Sequence, residues 1–271
     1  MALGVITANL ADAADICDVL SARAVDHVVM GCQKFAFLPQ LFQGRYVSMN
    51  LHALGEGRVP AADTLLQRLR ERGVSRVVNA GTLAGLLDTT IHDRPGRGRR
   101  QLDSDVETQK LAALKLEQVF RRGGVDVEWL AETVHEFRAG EGPLNDVDSP
   151  LTTHDLGAAV GRARQASQRH PVACAWIDNG QGQGMRTFDT DQKLKNLSDQ
   201  PPPPNRRLLI KVAAHPNHSP LDPPMIGPPT VKWAIASHVR AIIIDAQRGV
   251  IVSRKMTLQR ATDAGIAVIG V

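Results

Sequence analysis

Leu3-Gly4-Val5-Ile6-Thr7-Ala8-Asn9-Leu10 carries the chain through a short apolar run into a small turn. A brief apolar run closed by a turn reads as a strand covered on both faces, the situation of an inner strand in a parallel sheet. Just downstream, Asp12 to Ala22 places Ile16, Val19 and Leu20 at helical spacing. Val28-Val29-Met30 and Tyr46-Val47-Ser48-Met49 read as further strands. A second helix, Ala61 to Arg72, has Leu65, Leu66 and Leu69 on one face and stops at Gly73, the residue type that ends helices most readily. Val77-Val78 then runs as a strand into Asn79-Ala80-Gly81. Strand, helix and strand in repetition predict a parallel sheet with right-handed crossovers.

The same rhythm continues to the other end. A long helix is expected from Val106 to Arg122, ending at Gly123-Gly124, with a strand from Val125 to Trp129. Ala139 to Pro150 is rich in Gly, Pro and Asp, which places a domain boundary there and a hinge near residue 145. Thr153 with Asp155 can cap a helix reaching Gln168, and Pro171 to Ile177 follows as an apolar strand. Pro201 to Pro204 is a stiff spacer without backbone donors. The tail alternates again: strand Leu208 to Val212, helix from Pro229, strands Ala241 to Ile244 and Val250 to Val252, helix Thr257 to Ala264, strand Ile266 to Ile269. The expected architecture is α/β in two lobes. Residues 1–142 form an N-terminal domain with a Rossmann-like parallel sheet, and residues 143–271 form a smaller C-terminal α/β domain.

Composition narrows the function. Of 271 residues 43% are hydrophobic and only ten are Trp, Tyr or Phe, so the core must be aliphatic. The net charge of +4 suits a protein handling anionic small molecules. Asp93-Arg94-Pro95-Gly96-Arg97-Gly98-Arg99-Arg100 reads either as a solvated loop or as an edge that collects phosphate. It lacks interleaved aromatics, so no nucleic-acid partner is expected. No run of about 18 apolar residues exists to cross a membrane, and the first residues lack the basic start and cleavage site of a signal peptide. Cys17, Cys32 and Cys174 have no metal-ligand spacing and read as buried thiols in a reducing cytoplasm.

Familiar catalytic motifs are missing. There is no phosphate loop and no nucleophile elbow, and Thr7-Ala8-Asn9 stands where a dinucleotide clamp needs glycines. His215-Pro216-Asn217-His218 brings two imidazoles close together, as metal ligands or as an ordinary loop. Gly180-Gln181-Gly182-Gln183-Gly184 follows a strand ending at Asp178, where a ligand loop or a plain surface turn would each fit. Asp222 lies within Leu221-Asp222-Pro223-Pro224-Met225-Ile226-Gly227-Pro228-Pro229. A lone carboxylate on so stiff a loop can bind magnesium or orient water at a phosphate, or it can simply cap a turn.

The segment from Lys211 through Asp222 to Val231 resembles a signature of the UDP-2,3-diacylglucosamine pyrophosphatase family of lipid A biosynthesis, in its two-domain form distinct from the metallophosphoesterase type. The similarity lies in the spacing from Lys211 to Asp222 and in the following Pro-x-Ile-Gly and Thr. Ala264 to Val271 is similar to the family's last strand, and Asp178-Asn179-Gly180-Gln181 to its Asp-Ile-Gly-Gln. Leu3 to Ile6 and Val77 to Gly81 echo its N-terminal strands in order.

The resemblance implies hydrolysis of the pyrophosphate of UDP-2,3-diacylglucosamine to UMP and 2,3-diacylglucosamine 1-phosphate, with Mg2+ or Mn2+ as cofactor and the C-terminal domain as the catalytic one. It makes Asp222 the catalytic and metal-binding residue. Asp178, Asn179, Gly180, Gln181, Thr190, Asp191, Lys211 and Gly227 become substrate-binding. It also implies a cytoplasmic homodimer whose substrate is a lipid-linked nucleotide-sugar, with at most peripheral contact with the inner membrane. Pro220 stands where the family has an arginine, Ala214 where it has a lysine, and Thr7-Ala8-Asn9 replaces a glycine-rich turn. Those departures define the alternative, a homologue that binds a nucleotide-sugar or lipid without cleaving it.

Overall fold

The computed structural model describes residues 1–7, 10–31, 46–48, 59–80, 114, 116–169, 174–178, 183–188, 207–213 and 219–271. The basic loop at 93–100, the proline spacer at 201–204 and the two histidines His215 and His218 lie outside them. The chain divides into two units, Met1–Trp129 with Ser219–Asp222, and Leu130–His218 with Pro223–Val271.

The first unit is built on β1 (Ala2–Thr7), β2 (His27–Gly31), β3 (Tyr46–Ser48), β4 (Val74–Asn79) and β5 (Asp126–Glu128). They form one sheet in the order β3-β2-β1-β4-β5, and every neighbouring pair is parallel. The expected Rossmann-like sheet is therefore present. All six residues of β1 are buried, as its unbroken apolar run requires. Helices α1 (Leu10–Ala22) and α2 (Val59–Glu71) fall where the apolar spacing puts them. Gly73 follows α2 at φ 67°, a left-handed turn that glycine adopts without a Cβ penalty.

A third helix, α3, includes residues 116–122. Leu65, Leu66 and Leu69 of α2 join Leu116 and Phe120 of α3 over Ala2, Ile6 and Val77 of the sheet. Leu3 and Val5 alternate to the opposite face, where α1 contributes buried Ile16 and Leu20.

The second unit starts earlier than residue 143. After the short helix α4 (Leu130–Thr133), residues 138–145 run along the unit's own strands rather than acting as a linker. Ala139 N–H donates to Gly249 O (2.9 Å) and Gly140 N–H to Ala246 O (3.1 Å). β6 (Gly142–Pro143) pairs antiparallel with β13 (Ala267–Gly270). The Arg254 guanidinium reaches back to the carbonyls of Arg138 (2.8 Å) and Ala139 (3.0 Å), and its partial burial lowers its pKa. Asn145, at the expected hinge, donates to Ile266 O (2.9 Å) and accepts from Val268 N–H (2.8 Å), so it is fastened to β13.

The remaining strands are β7 (Cys174–Asp178), β8 (Gln183–Phe188), β9 (Arg207–Lys211), β10 (Met225–Ile226), β11 (Val239–Ile244) and β12 (Val250–Ile251). The main sheet has the order β6-β13-β11-β9-β7-β8; β9, β11 and β13 are parallel, whereas β7 and β8 are antiparallel. β10 and β12 form a small parallel pair of their own. Helix α5 (Thr153–Arg169) covers one face through Ala159, Val160 and Ala163, packed on Leu208, Ile210, Ala241 and Ile243. Its cap is Thr152, one residue before the expected Thr153: the Thr152 hydroxyl accepts from Asp155 N–H (3.2 Å) and donates to the Asp155 carboxylate (2.8 Å). Two crossover helices, α6 (Pro228–Ala236) and α7 (Arg254–Asp263), complete the unit. No helix among the described residues is long and apolar enough to cross a membrane.

Candidate functional site

Four residues of the C-terminal half, Ser219–Asp222, belong to the first unit. Leu221 is fully buried in the core that includes Ile6, Val77 and Phe120. Burial of one leucine contributes about 1.5–3 kcal/mol towards holding the segment in place. The carbonyl of Leu221 accepts a hydrogen bond from the side-chain amide of Asn79, which is itself fully buried. Asn79 is the last residue of β4 and pairs with Ile6 of β1.

In the order β3-β2-β1-β4-β5 the chain turns one way from β1 to β2 and the other way at β4. The carboxyl ends of β1 and β4 are thus the switch point at which open α/β sheets hold ligands. Asp222, half-buried, is the residue after Leu221 and so stands at that edge.

The turn that carries Asp222 is held from a second side. Asp222 N–H donates to Ser219 O (3.0 Å). The Ser219 hydroxyl accepts from Leu221 N–H (3.2 Å) and donates to a Glu117 oxygen (2.7 Å). The other Glu117 oxygen takes the Arg121 guanidinium at 2.9 Å. Prolines at 220, 223 and 224 stiffen the chain around these contacts.

The second unit places the other described candidates. Lys211 ends β9, is buried, and its ammonium donates to Met225 O (2.6 Å). β9 is where the sheet changes character, parallel towards β11 and antiparallel towards β7. Gly227 precedes α6; its N–H donates to the Thr230 hydroxyl (3.2 Å) and its carbonyl accepts from Val231 N–H (3.2 Å). A Cβ at Gly227 would lie 2.6 Å from a methyl of Val252, so only glycine lets this loop pass so close.

Register separates Asp178 from Lys211. Ile177 pairs with Leu208 near the start of β9, whereas Lys211 is its last residue. Because β7 runs antiparallel, its carboxyl end lies level with the amino end of β9. Phe188, which pairs with Cys174, ends β8 on the side nearer Lys211. Asn179, Gly180, Gln181, Thr190 and Asp191 lie outside the described residues.

Sequence reasoning did not single out Asp245. It follows β11, and its carboxylate accepts from the N–H groups of Gln247 (3.0 Å), Arg248 (2.9 Å) and Ala213 (3.3 Å). An Asp between an apolar run and a turn is the sequence sign of such a cap. Glu117 was also missed, because nothing local on its helix marks it.

Among the described residues, no group of three His, Cys, Asp or Glu side chains is placed to hold a metal ion. A magnesium ion needs fewer protein donors than that: one carboxylate suffices when phosphate oxygens and water complete its shell. Asp222, a hard oxygen donor that is only half-buried, fits that role.

Residues 187–269 match the family model of the LpxI C-terminal domain. That span runs from the end of β8 into β13 and includes Lys211, Asp222 and Gly227, but not Asp178. No curated protein matches the chain.

Proposed function

We propose that the chain hydrolyses the pyrophosphate of UDP-2,3-diacylglucosamine, a lipid A precursor, to UMP and 2,3-diacylglucosamine 1-phosphate. The matched domain belongs to a family of UDP-2,3-diacylglucosamine hydrolases. The observation that carries the reading is Asp222, which lies inside the matched span and stands at the switch point of the parallel sheet.

In the reaction a water oxygen bonds to one phosphorus and the bond from that phosphorus to the bridging oxygen breaks. The bridging oxygen leaves on the second phosphate, and a proton passes to solvent. Mg2+ or Mn2+, held by Asp222, would neutralise charge on the phosphoryl oxygens and lower the pKa of an attacking water. Leu221, buried in the core, and Asn79, on its carbonyl, keep the Asp222 carboxylate in place. Lys211, at the carboxyl end of β9, and Gly227, before α6, would be substrate-binding, as the resemblance implies. A cytoplasmic homodimer with at most peripheral membrane contact goes with this reading.

Pro220 favours a second reading. It is buried where the resemblance calls for an arginine, and loss of a charge-assisted contact to a phosphoryl oxygen costs about 2.7–4 kcal/mol of transition-state stabilisation. A protein without that contact could bind the nucleotide-sugar and leave it intact.

One experiment separates the two. The purified protein is incubated with UDP-2,3-diacylglucosamine and Mg2+, UMP is assayed, and Asp222→Ala is run alongside. UMP release that disappears in Asp222→Ala supports the hydrolase. Substrate that raises the melting temperature without UMP release supports the binding reading. Neither turnover nor binding would sink both.

A further inference from the structure

We infer that Glu117 is a positioning residue for the reaction proposed above, acting on Asp222 through the hydroxyl of Ser219. The inference rests on that functional reading for the reaction, and on geometry for the linkage. Ser219 is buried, and its hydroxyl has one hydrogen to give, which goes to the Glu117 carboxylate at 2.7 Å. With the hydrogen directed there, a lone pair of the same oxygen faces Leu221 N–H at 3.2 Å. Glu117 therefore sets the rotor of a hydroxyl that fixes the backbone immediately before Asp222.

The Asp222 amide closes the turn on Ser219 O, so Ser219 holds both residues at once. Glu117 in turn is held by Arg121 one helical turn on, at 2.9 Å. This is more than the packing of Leu221 requires. A leucine side chain in a core fixes depth, whereas a directed hydrogen-bond relay fixes the rotation of the turn, and with it the direction of the next side chain. Glu117 touches no reacting atom; its effect is carried by the chain Glu117, Ser219, Leu221, Asp222.

The test uses the full chain with Glu117→Ala, Glu117→Gln, Ser219→Ala and the Glu117→Ala/Ser219→Ala double variant. UMP release is followed as kcat and KM, and amide hydrogen exchange is followed at Ser219, Leu221 and Asp222. Glu117→Ala and Ser219→Ala are each expected to lower kcat about tenfold with KM within about twofold, because a misdirected Asp222 affects the chemical step. The double variant should lose no more than either single one, since both cut the same relay. Glu117→Gln, whose amide oxygen still accepts from Ser219, should keep at least about half of kcat. Glu128→Gln, at the exposed Arg76 pair, serves as the control that leaves kcat unchanged.

A wild-type kcat in folded Glu117→Ala would overturn the inference, and so would a double variant with multiplied losses. If the wild type releases no UMP, the functional reading falls and exchange alone decides the linkage. Faster exchange in Glu117→Ala confined to residues 219–222 supports it, and unchanged exchange there overturns it.

Discussion

Asn79 and Leu221, separated by 142 residues in sequence, meet through a hydrogen bond from the Asn79 amide to the Leu221 carbonyl. The contact lies at the carboxyl end of β4, beside Ile6 of β1, and both partners are fully buried. It places part of the C-terminal half inside the N-terminal sheet's own core. Asp222 is thereby set at the switch point of a sheet whose strands all come from the other half of the chain.

Asn79→Ala removes the donor, so the Leu221 carbonyl would be buried without this partner. A buried acceptor stripped of its partner costs about 1–3 kcal/mol. Denaturant unfolding should show that loss. Leu221→Ala, which also leaves a cavity, should cost more, about 2–5 kcal/mol. Since the two act on one segment, their costs should fail to add; additive losses would mean that the contact does not tie the segment down.

Gly227→Ala tests the close passage in front of α6. The new methyl would sit 2.6 Å from Val252 Cγ2, both in the second unit and both buried. Overpacking of that kind costs about 1–3 kcal/mol. Val252→Ala removes the obstructing methyl, so the double variant should recover part of the stability lost by Gly227→Ala. If Gly227→Ala melts with the wild type, the packing argument for a glycine here is wrong.

What could be read from the sequence divides along physical lines. Apolar runs and 3.6-residue spacing are local, and they located β1, α2, β9 and β11 to within one or two residues. Strand direction is not local: nothing in Cys174 to Phe188 says that β7 runs antiparallel to β9. The excursion of 219–222 was illegible for a similar reason. One leucine among prolines has no periodicity, and its partners Asn79 and Glu117 lie more than a hundred residues away. The Gly- and Pro-rich stretch at 139–150 reads as a domain boundary with a hinge because a two-residue edge strand carries no pattern. Hydrogen bonds with Arg254, Asn145 and the backbone of Ala246, Gly249 and β13 reveal that it is stitched in.

Asn145 gives that last point a measurable form. Its amide donates to Ile266 O (2.9 Å) and the Thr262 hydroxyl (3.2 Å), and its oxygen accepts from Val268 N–H (2.8 Å). At about 0.5–1.5 kcal/mol for each bond lost, Asn145→Ala should destabilise the second unit by about 2 kcal/mol. Limited proteolysis should then cut faster within 138–146. A hinge would behave differently, with rapid cleavage already in the wild type and no change in stability on substitution.

Asp222→Asn isolates charge from shape. The amide has nearly the size of the carboxylate, and the backbone bond from residue 222 to Ser219 O is untouched. What disappears is the negative oxygen that would hold a divalent cation against phosphate. Removing a group that stabilises transition-state charge typically lowers the rate about 10²–10³-fold, and UMP release should fall by at least that much. A chelator should abolish release in the wild type, and added Mg2+ or Mn2+ should restore it there but not in Asp222→Asn. Turnover that survives chelation would remove the metal from the reading. Full activity in Asp222→Asn would remove Asp222 itself, and the switch-point edge would then need another residue to do the chemistry.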